Sequence, residues 1–299
     1  MSKSDSIPFW RPGMAKMLPG FFIFLTLFVV PALIVLAYSL MTRGDYGGVI
    51  WQFDIDAYAR VFGFPNEAEM RGWDFIYLGI FAKSAGIALI TALLALLTGY
   101  PVAWYIARQN DKKKFVLLFL VTLPFFANAL VRVYAWMLIL RTDGLINNLF
   151  MSLGLITQPL TLLYTPGAVV VAMLYQYLPF MVLPLFASIE KLDVRLIEAS
   201  QDLGAGAWRT FLKVILPLTK PGIAAGLVLV FVPSFGNFLA PTLIGGGKDL
   251  QVGPLMAQAF VAARDWPFGS AVAMVLSTLV LLCLLFMARI ERSAQGAQP

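Results

Sequence analysis

The stretch EASQDLGAGAWRTFLKVILP, Glu198–Pro217, is polar, partly charged and interrupted by Gly204 and Gly206. It lies in a chain of 299 residues that is 60% hydrophobic and only 13% charged. A soluble domain of this size carries about 25% charged residues. The bulk of the chain is therefore built for lipid, and this stretch is not. Leu192, Leu196, Ile197 and Leu203 recur at helical spacing among Glu190, Asp193, Glu198 and Asp202, which predicts an amphipathic helix of about three turns. Gly204 supplies the left-handed residue that ends a helix, and Gly206 adds freedom after it. Trp208, Phe211, Leu212 and Ile215 then fall on one side of a second short helix. Pro217 closes that unit and Pro221 opens the next apolar run. Two settings suit such a hairpin, the lipid surface or a soluble partner protein. The acidic residues weigh toward a partner, because a helix resting on anionic lipid favours Lys and Arg.

Working outward, six apolar runs are long enough to cross a bilayer, near Leu18–Met41, Leu78–Ala107, Phe115–Leu140, Pro166–Ser188, Pro221–Ile244 and Gly269–Ile290. The first is too long for a cleaved signal core of about 7–15 residues, so it reads as an uncleaved span. A seventh run, Leu145–Leu163, contains Asn147, Asn148, Gln158 and Pro159 and is expected at the membrane surface. Basic residues support six spans with both termini inside. The N-terminal tail, 108–114, 189–220 and the C-terminal tail hold 14 Lys and Arg, and the outer loops hold 6. A seventh span would reverse 189–220 and largely erase that asymmetry. The expected organisation is a cytoplasmic tail over 1–17, a six-helix domain over 18–290 containing the loop 189–220, and a second cytoplasmic tail over 291–299.

Composition also excludes. The chain has no His, and its one cysteine, Cys283, sits in an apolar run. Zinc chemistry, Cys–His catalysis and an intrachain disulfide are thus not expected. The net charge of +6 reads as membrane topology, not as a nucleic-acid surface. An ion-driven secondary transporter would need titratable groups within its spans, and the runs above contain no acid.

The opening stretch resembles the EAA signature of bacterial ABC-importer permeases: Glu-Ala-Ala, three residues, Gly, nine residues, Ile, one residue, Leu-Pro. Here Glu198, Ala199, Ser200, Gly204, Val214, Leu216 and Pro217 take those places, with Ser200 for Ala and Val214 for Ile. Further stretches, TGYPVAWYIAR (98–108), LPFFANALVRVYAWMLILRTDGLINNL, LPFMVLPLFASIEKLD, GGGKDLQVG and RDWPFGSA, are similar to the first permease of spermidine/putrescine importers. The resemblance implies an all-α, MetI-like type I importer permease with six transmembrane helices in the bacterial inner membrane. It implies a cytoplasmic coupling helix, with Glu198, Ala199, Ser200, Asp202, Gly204, Leu216 and Pro217 docking on a separate ATPase dimer. The other implied partners are a second permease subunit, a periplasmic binding protein, membrane lipid and a polyamine substrate. No cofactor would be bound by this chain, since ATP and Mg are used by the ATPase. Related permeases for other small cations, opines or iron share parts of the pattern, so cargo is the open question.

A polyamine path needs aromatic faces and polar oxygens. The candidates within the apolar runs are Asn128, Tyr134, Trp136, Tyr175, Gln176, Tyr177 and Asn237, with Asp143 at an outer end. Arg132 repels a cation, so it is expected to be structural or gating, paired with Asp143, a carbonyl or the second permease. GIAAG (222–226) is expected to be a close-packing face, with another subunit as one candidate partner, and GGGKD (245–249) a flexible outer loop.

Overall fold

The computed structural model describes residues 19–65, 72–247 and 250–295. The expectations for 1–17, Glu67, Glu69, Arg71, Lys248, Asp249 and the last four residues lie outside them, as does the side chain of Arg292. The chain forms two compact units, one of Met1–Asp74 with Ala259–Val275, the other of Phe75–Gln258 with Leu276–Pro299.

The first unit opens with α1 (Pro19–Ser39), whose hydropathy of 2.7 is the highest of the long helices. An antiparallel hairpin follows, β1 (Met41–Arg43) on β2 (Val49–Phe53), with Thr42 opposite Ile50 and an irregularity between Met41 and Thr42. Among the described residues this hairpin is the exception to an otherwise helical chain. Its turn uses Gly47 and Gly48 at positive φ, where only glycine is unstrained. The short helix α2 (Asp56–Phe62) ends on left-handed Gly63.

The regular elements in the described part of the second unit are helices: α3 (Ile76–Ala107), α4 (Asp111–Phe126), α5 (Ala129–Leu140), α6 (Leu145–Ser152), α7 (Pro166–Glu190), α8 (Val194–Asp202), α9 (Ala207–Leu218), α10 (Lys220–Phe235) and α11 (Leu239–Leu243). It continues through α12 (Val252–Ala262) and α13 (Trp266–Gln295), both of which run across the division between the units. Four helices are long and apolar enough to cross a bilayer, α1, α3, α7 and the Trp266–Leu285 part of α13. Two bent pairs complete six if each counts as one span, Asp111–Phe126 with Ala129–Ser152 at 90°, and Ala207–Leu218 with Lys220–Phe235 at 68°.

The continuous run expected over Phe115–Leu140 is therefore broken. Pro124 withholds an N–H near the end of α4, Ala127 is extended, and the Asn128 side chain accepts the Leu130 N–H at 2.8 Å to start a new helix. The run expected over Pro221–Ile244 is also interrupted, beyond Phe235. There Asn237 Oδ1 accepts the Ala240 N–H at 3.0 Å. The seventh apolar run is helical only over the eight residues of α6. Asn147, fully buried, spends its amide on Arg141 O, Leu160 O and Leu160 N.

The core lies where α3, α7 and α10 meet. Alanines do much of the lining on α3, with Ala88, Ala95 and Ala103 at 0% exposure. Small side chains let backbones approach, the main route to helix association where lipid removes the hydrophobic drive. GIAAG works this way inside the chain. A Cβ on Gly226 would lie 2.6 Å from Met181 Sδ, and one on Gly222 would lie 2.7 Å from Pro184 O and collide with Ser188. The close-packing expectation holds, and the partner is α7 of the same chain. Gly222→Ala is expected to destabilise the protein by about 1–3 kcal/mol through overpacking. Gly86→Ala, whose Cβ meets nothing within 4 Å, is expected to be neutral or slightly stabilising. Thermal unfolding of both variants in detergent checks the contrast.

Candidate functional site

The polar stretch folds as helix, left-handed glycine, helix. Asp193 caps α8 by accepting the Arg195 N–H at 2.9 Å. At its other end Gly204 has φ +79°, with Gly204 N–H on Gln201 O at 2.8 Å and Ala205 N–H on Ser200 O at 3.1 Å. These paired bonds satisfy carbonyls that the helix end leaves open. Ser200 has a use that an alanine lacks, since its hydroxyl shares a 3.0 Å hydrogen bond with buried Thr210 across the turn. Glu198, Ala199, Asp202, Gly204 and Pro217 are exposed, while Ser200 and Leu216 are half-buried. Leu203 is 89% exposed and Trp208 71%. An apolar surface of this kind beside carboxylates is what a docking segment presents.

Within α9 the stretch Phe211–Ile215 widens into a π-helical turn. Pro217 cannot donate to the carbonyl four residues back, and its ring crowds that oxygen, so the wider turn relieves the clash. The elbow between α9 and α10 falls at Thr219, which is fully buried. The start of the segment is tied elsewhere. Glu190 at the end of α7 accepts from Lys114 of α4 at 2.9 Å.

The candidate path residues separate into distinct roles. Trp136 and Tyr175 come together edge to face, with ring centroids 5.7 Å apart. Tyr134 is exposed and Gln176 half-buried. Asn128 is a helix cap, as described above. Asn237 is only 7% exposed, and its Nδ2 donates to the Tyr177 hydroxyl at 2.6 Å. Tyr177 in turn donates to Pro233 O at 3.2 Å, so both ends of the Asn237 amide are used within the chain. Arg132 lies in electrostatic range of Tyr177, and its Nε and Nη1 are buried with no hydrogen-bond partner among the described residues. Asp143 is not its partner. That carboxylate pairs with Arg141 at 3.1 Å.

Over residues 245–247, GGGKD forms a glycine turn. Gly246 and Gly247 have positive φ, and a Cβ on Gly246 would strike the Tyr164 ring. Tyr164 itself sits at φ 64° and donates its N–H to Ile244 O at 3.0 Å. The carboxylate of RDWPFGSA serves the fold of the first unit. Asp265 is 3% exposed, accepts from Arg60 at 2.7 Å, faces Arg43 at 3.7 Å, and caps α13 by accepting the Phe268 N–H at 3.1 Å. The Arg60 guanidinium also lies over the Phe268 ring at 4.4 Å. Beside this network is a cavity of about 710 Å³ lined in part by Asp45, Asp54 and Asp56. No group of three or more His, Cys, Asp or Glu side chains among the described residues is placed to hold a metal ion.

Sequence reasoning missed the Tyr177–Asn237 bond, the Lys114–Glu190 pair and the Arg60–Asp265 network. Each joins residues far apart in the chain, so no local periodicity marks them. The hairpin was also missed, although GDYGG followed by the β-branched and aromatic VIW is a turn-and-strand signal.

A family profile described as "Binding-protein-dependent transport system inner membrane component" matches residues 99–295. The spermidine/putrescine transport system permease protein PotB of Salmonella typhimurium (strain LT2) is 41% identical over 269 residues, 90% of each chain. Among solved structures, a bacterial ABC transporter that imports the acidic polysaccharide alginate superposes with a TM-score of 0.66 at 17% identity, over 95% of this chain and 96% of that one. The MetNI methionine ABC transporter, in an inward-facing conformation, gives 0.53 at 18% identity, over 73% and 95%. These structural likenesses show a shared fold.

The Arg60–Asp265 network yields its own test. Asp265→Ala removes a buried acceptor of Arg60 and uncaps α13, and is expected to cost about 2–4 kcal/mol. Asp265→Asn retains an acceptor for the Phe268 N–H without the charge and should fall in between. Thermal unfolding in detergent reads both.

Proposed function

We propose that this chain, which belongs to the family of binding-protein-dependent transport system inner membrane components, is the permease subunit of an ATP-driven polyamine importer. The observation that carries the cargo is 41% identity over 90% of both chains to a relative named for spermidine and putrescine transport. The mechanism rests on the exposed helix–glycine–helix over 194–218. The chain performs no catalysis. ATP and Mg are consumed by a separate ATPase dimer, and this subunit converts the closure of that dimer into movement of its helices.

In this reading the two bent pairs count as single spans, giving six transmembrane helices of the MetI-like type I arrangement over 18–290. The tails 1–17 and 291–299 and the loop 189–220 are cytoplasmic, as the distribution of Lys and Arg supports. The segment containing Glu198, Ala199, Ser200, Asp202, Gly204, Leu216 and Pro217 is the coupling helix, and Leu203 and Trp208 provide its apolar contact with the ATPase. A periplasmic binding protein delivers cargo to the outer loops.

A second permease completes the path. Tyr134, Trp136, Tyr175 and Gln176 of this chain offer aromatic faces and an amide to the cargo. Asn128 and Asn237 shape that wall by fixing the two helix breaks. Arg132 has a structural or gating role, and a buried guanidinium with unsatisfied nitrogens calls for a carboxylate from the second permease.

Two outcomes are expected. Glu198→Lys and Gly204→Asp should each lower cargo uptake by at least about tenfold while the complex still inserts and assembles, an effect within the ordinary range of coupling between sites. A Cβ at Gly204 meets nothing within 4 Å, so the lost uptake reports the docking surface and the left-handed backbone, not crowding within the chain. Uptake by reconstituted complexes reads this, and full uptake in both variants removes the coupling assignment. Calorimetry on the cognate binding protein is expected to show spermidine or putrescine as the tight ligand. Preference for an opine, an iron complex or an amino-acid derivative would reassign the cargo and leave the coupling assignment standing.

A further inference from the structure

An aromatic run leads from the exposed side of α9 into the bundle. The Trp208 ring stacks on Phe211, with centroids 5.6 Å apart and planes at 23°. Phe211 then meets Tyr100 of α3 edge to face, at 5.6 Å and 89°. The Tyr100 hydroxyl lies 3.0 Å from the Thr219 hydroxyl. Thr219 donates its single proton to Ile215 O at 3.0 Å, so Tyr100 is the donor in the bond between them. One side chain thus holds both the first residue of the π-helical turn and the buried elbow where α9 meets α10 at 68°. Its neighbour Gly99 packs on Met181 and Val182 of α7, so Tyr100 is rooted in the core.

We propose that Tyr100 is a positioning residue for coupling, an inference that rests on the reading of 194–218 as the ATPase-docking segment. A bend between two short helices is where imposed motion dissipates, because a few backbone dihedrals at the junction absorb it. Tyr100 removes that freedom. With Phe211 on its ring and Thr219 on its hydroxyl, a push on Trp208 moves α9, the elbow and α3 together. The wide turn at 211–215 places Phe211 against the tyrosine ring.

The test uses the assembled importer in proteoliposomes, with its ATPases, second permease and binding protein. It reads radiolabelled spermidine accumulated per ATP hydrolysed. Binding-protein stimulation of the ATPase is measured in parallel, because it does not depend on which cargo is carried. Tyr100→Ala is expected to lower cargo moved per ATP by at least about fivefold, the lower end of ordinary coupling between sites, with ATP turnover retained. Tyr100→Phe and Thr219→Val keep the packing and each remove one side of the hydrogen bond. Both should give smaller losses, the larger from Thr219→Val because it also removes the bond to Ile215 O, with the double variant no worse than Thr219→Val alone.

A wild-type ratio in Tyr100→Ala, or additive losses in the double variant, overturns the proposal. If Tyr100→Ala does not assemble, the Phe and Val variants carry the test. Gly204→Asp separates the two readings. A coupled Gly204→Asp complex overturns the docking assignment itself, and an uncoupled one beside a coupled Tyr100→Ala overturns only the role of Tyr100.

Discussion

Met181 of α7 touches two glycines on two other helices, Gly99 of α3 and Gly226 of α10. It is fully buried, and its unbranched, polarizable side chain fills the space that three converging backbones leave. In lipid the hydrophobic effect does not press apolar helices together, so close approach through small residues has to supply the attraction. The other elements of the second unit take their places from this contact. With Gly222 also seated on Pro184 and Ser188, the start of α10 is pinned to α7. The elbow at Thr219 is thereby fixed, and the exposed α8–α9 segment hangs from it at a defined angle.

A second constraint explains where the polar side chains go. A backbone N–H or C=O in hydrocarbon has no water to bond, so each helix break must be sealed from within. Asn128 seals the break after α4, and Asn237 with Tyr177 seals the one after α10. Polar residues in an apolar run can thus be read two ways, as cargo contacts or as repairs to the backbone. Asn237 acts as a repair, with both ends of its amide committed, whereas Trp136 and Tyr175 meet edge to face. Arg132 fits neither use within this chain, which is why its partner is sought in another subunit.

The legible parts of the fold were those with local causes. The left-handed end at Gly204, the stop near Pro217 and the restart at Pro221 follow from residue chemistry, and the structure places all three as expected. The boundaries of α1, α3 and α7 fall within about two residues of the apolar runs, because hydropathy and length fix a long helix with little help from neighbours. The 90° bend at Asn128 was not legible. Proline and asparagine are tolerated in straight spans, and only the cap geometry shows that the helix stops there. The Arg60–Asp265 pair was not legible for a related reason, since the two arginines that Asp265 meets, Arg60 and Arg43, lie in distant sequence.

The sequence by itself determined that this is a multi-pass, helical membrane chain with a polar helix–glycine–helix, and the EAA spacing pointed to the importer family. These properties depend on composition, on periodicity and on the φ preferences of single residues, all of which act within a few positions. The tertiary structure alone decided that GIAAG packs on α7 of its own chain, that Asn237 bonds Tyr177, and that Tyr100 spans the elbow at Thr219. Those choices were made when helices met. Which small residue receives which large one, and which hydroxyl finds which, is settled by interhelical distances of a few ångströms that no one helix encodes.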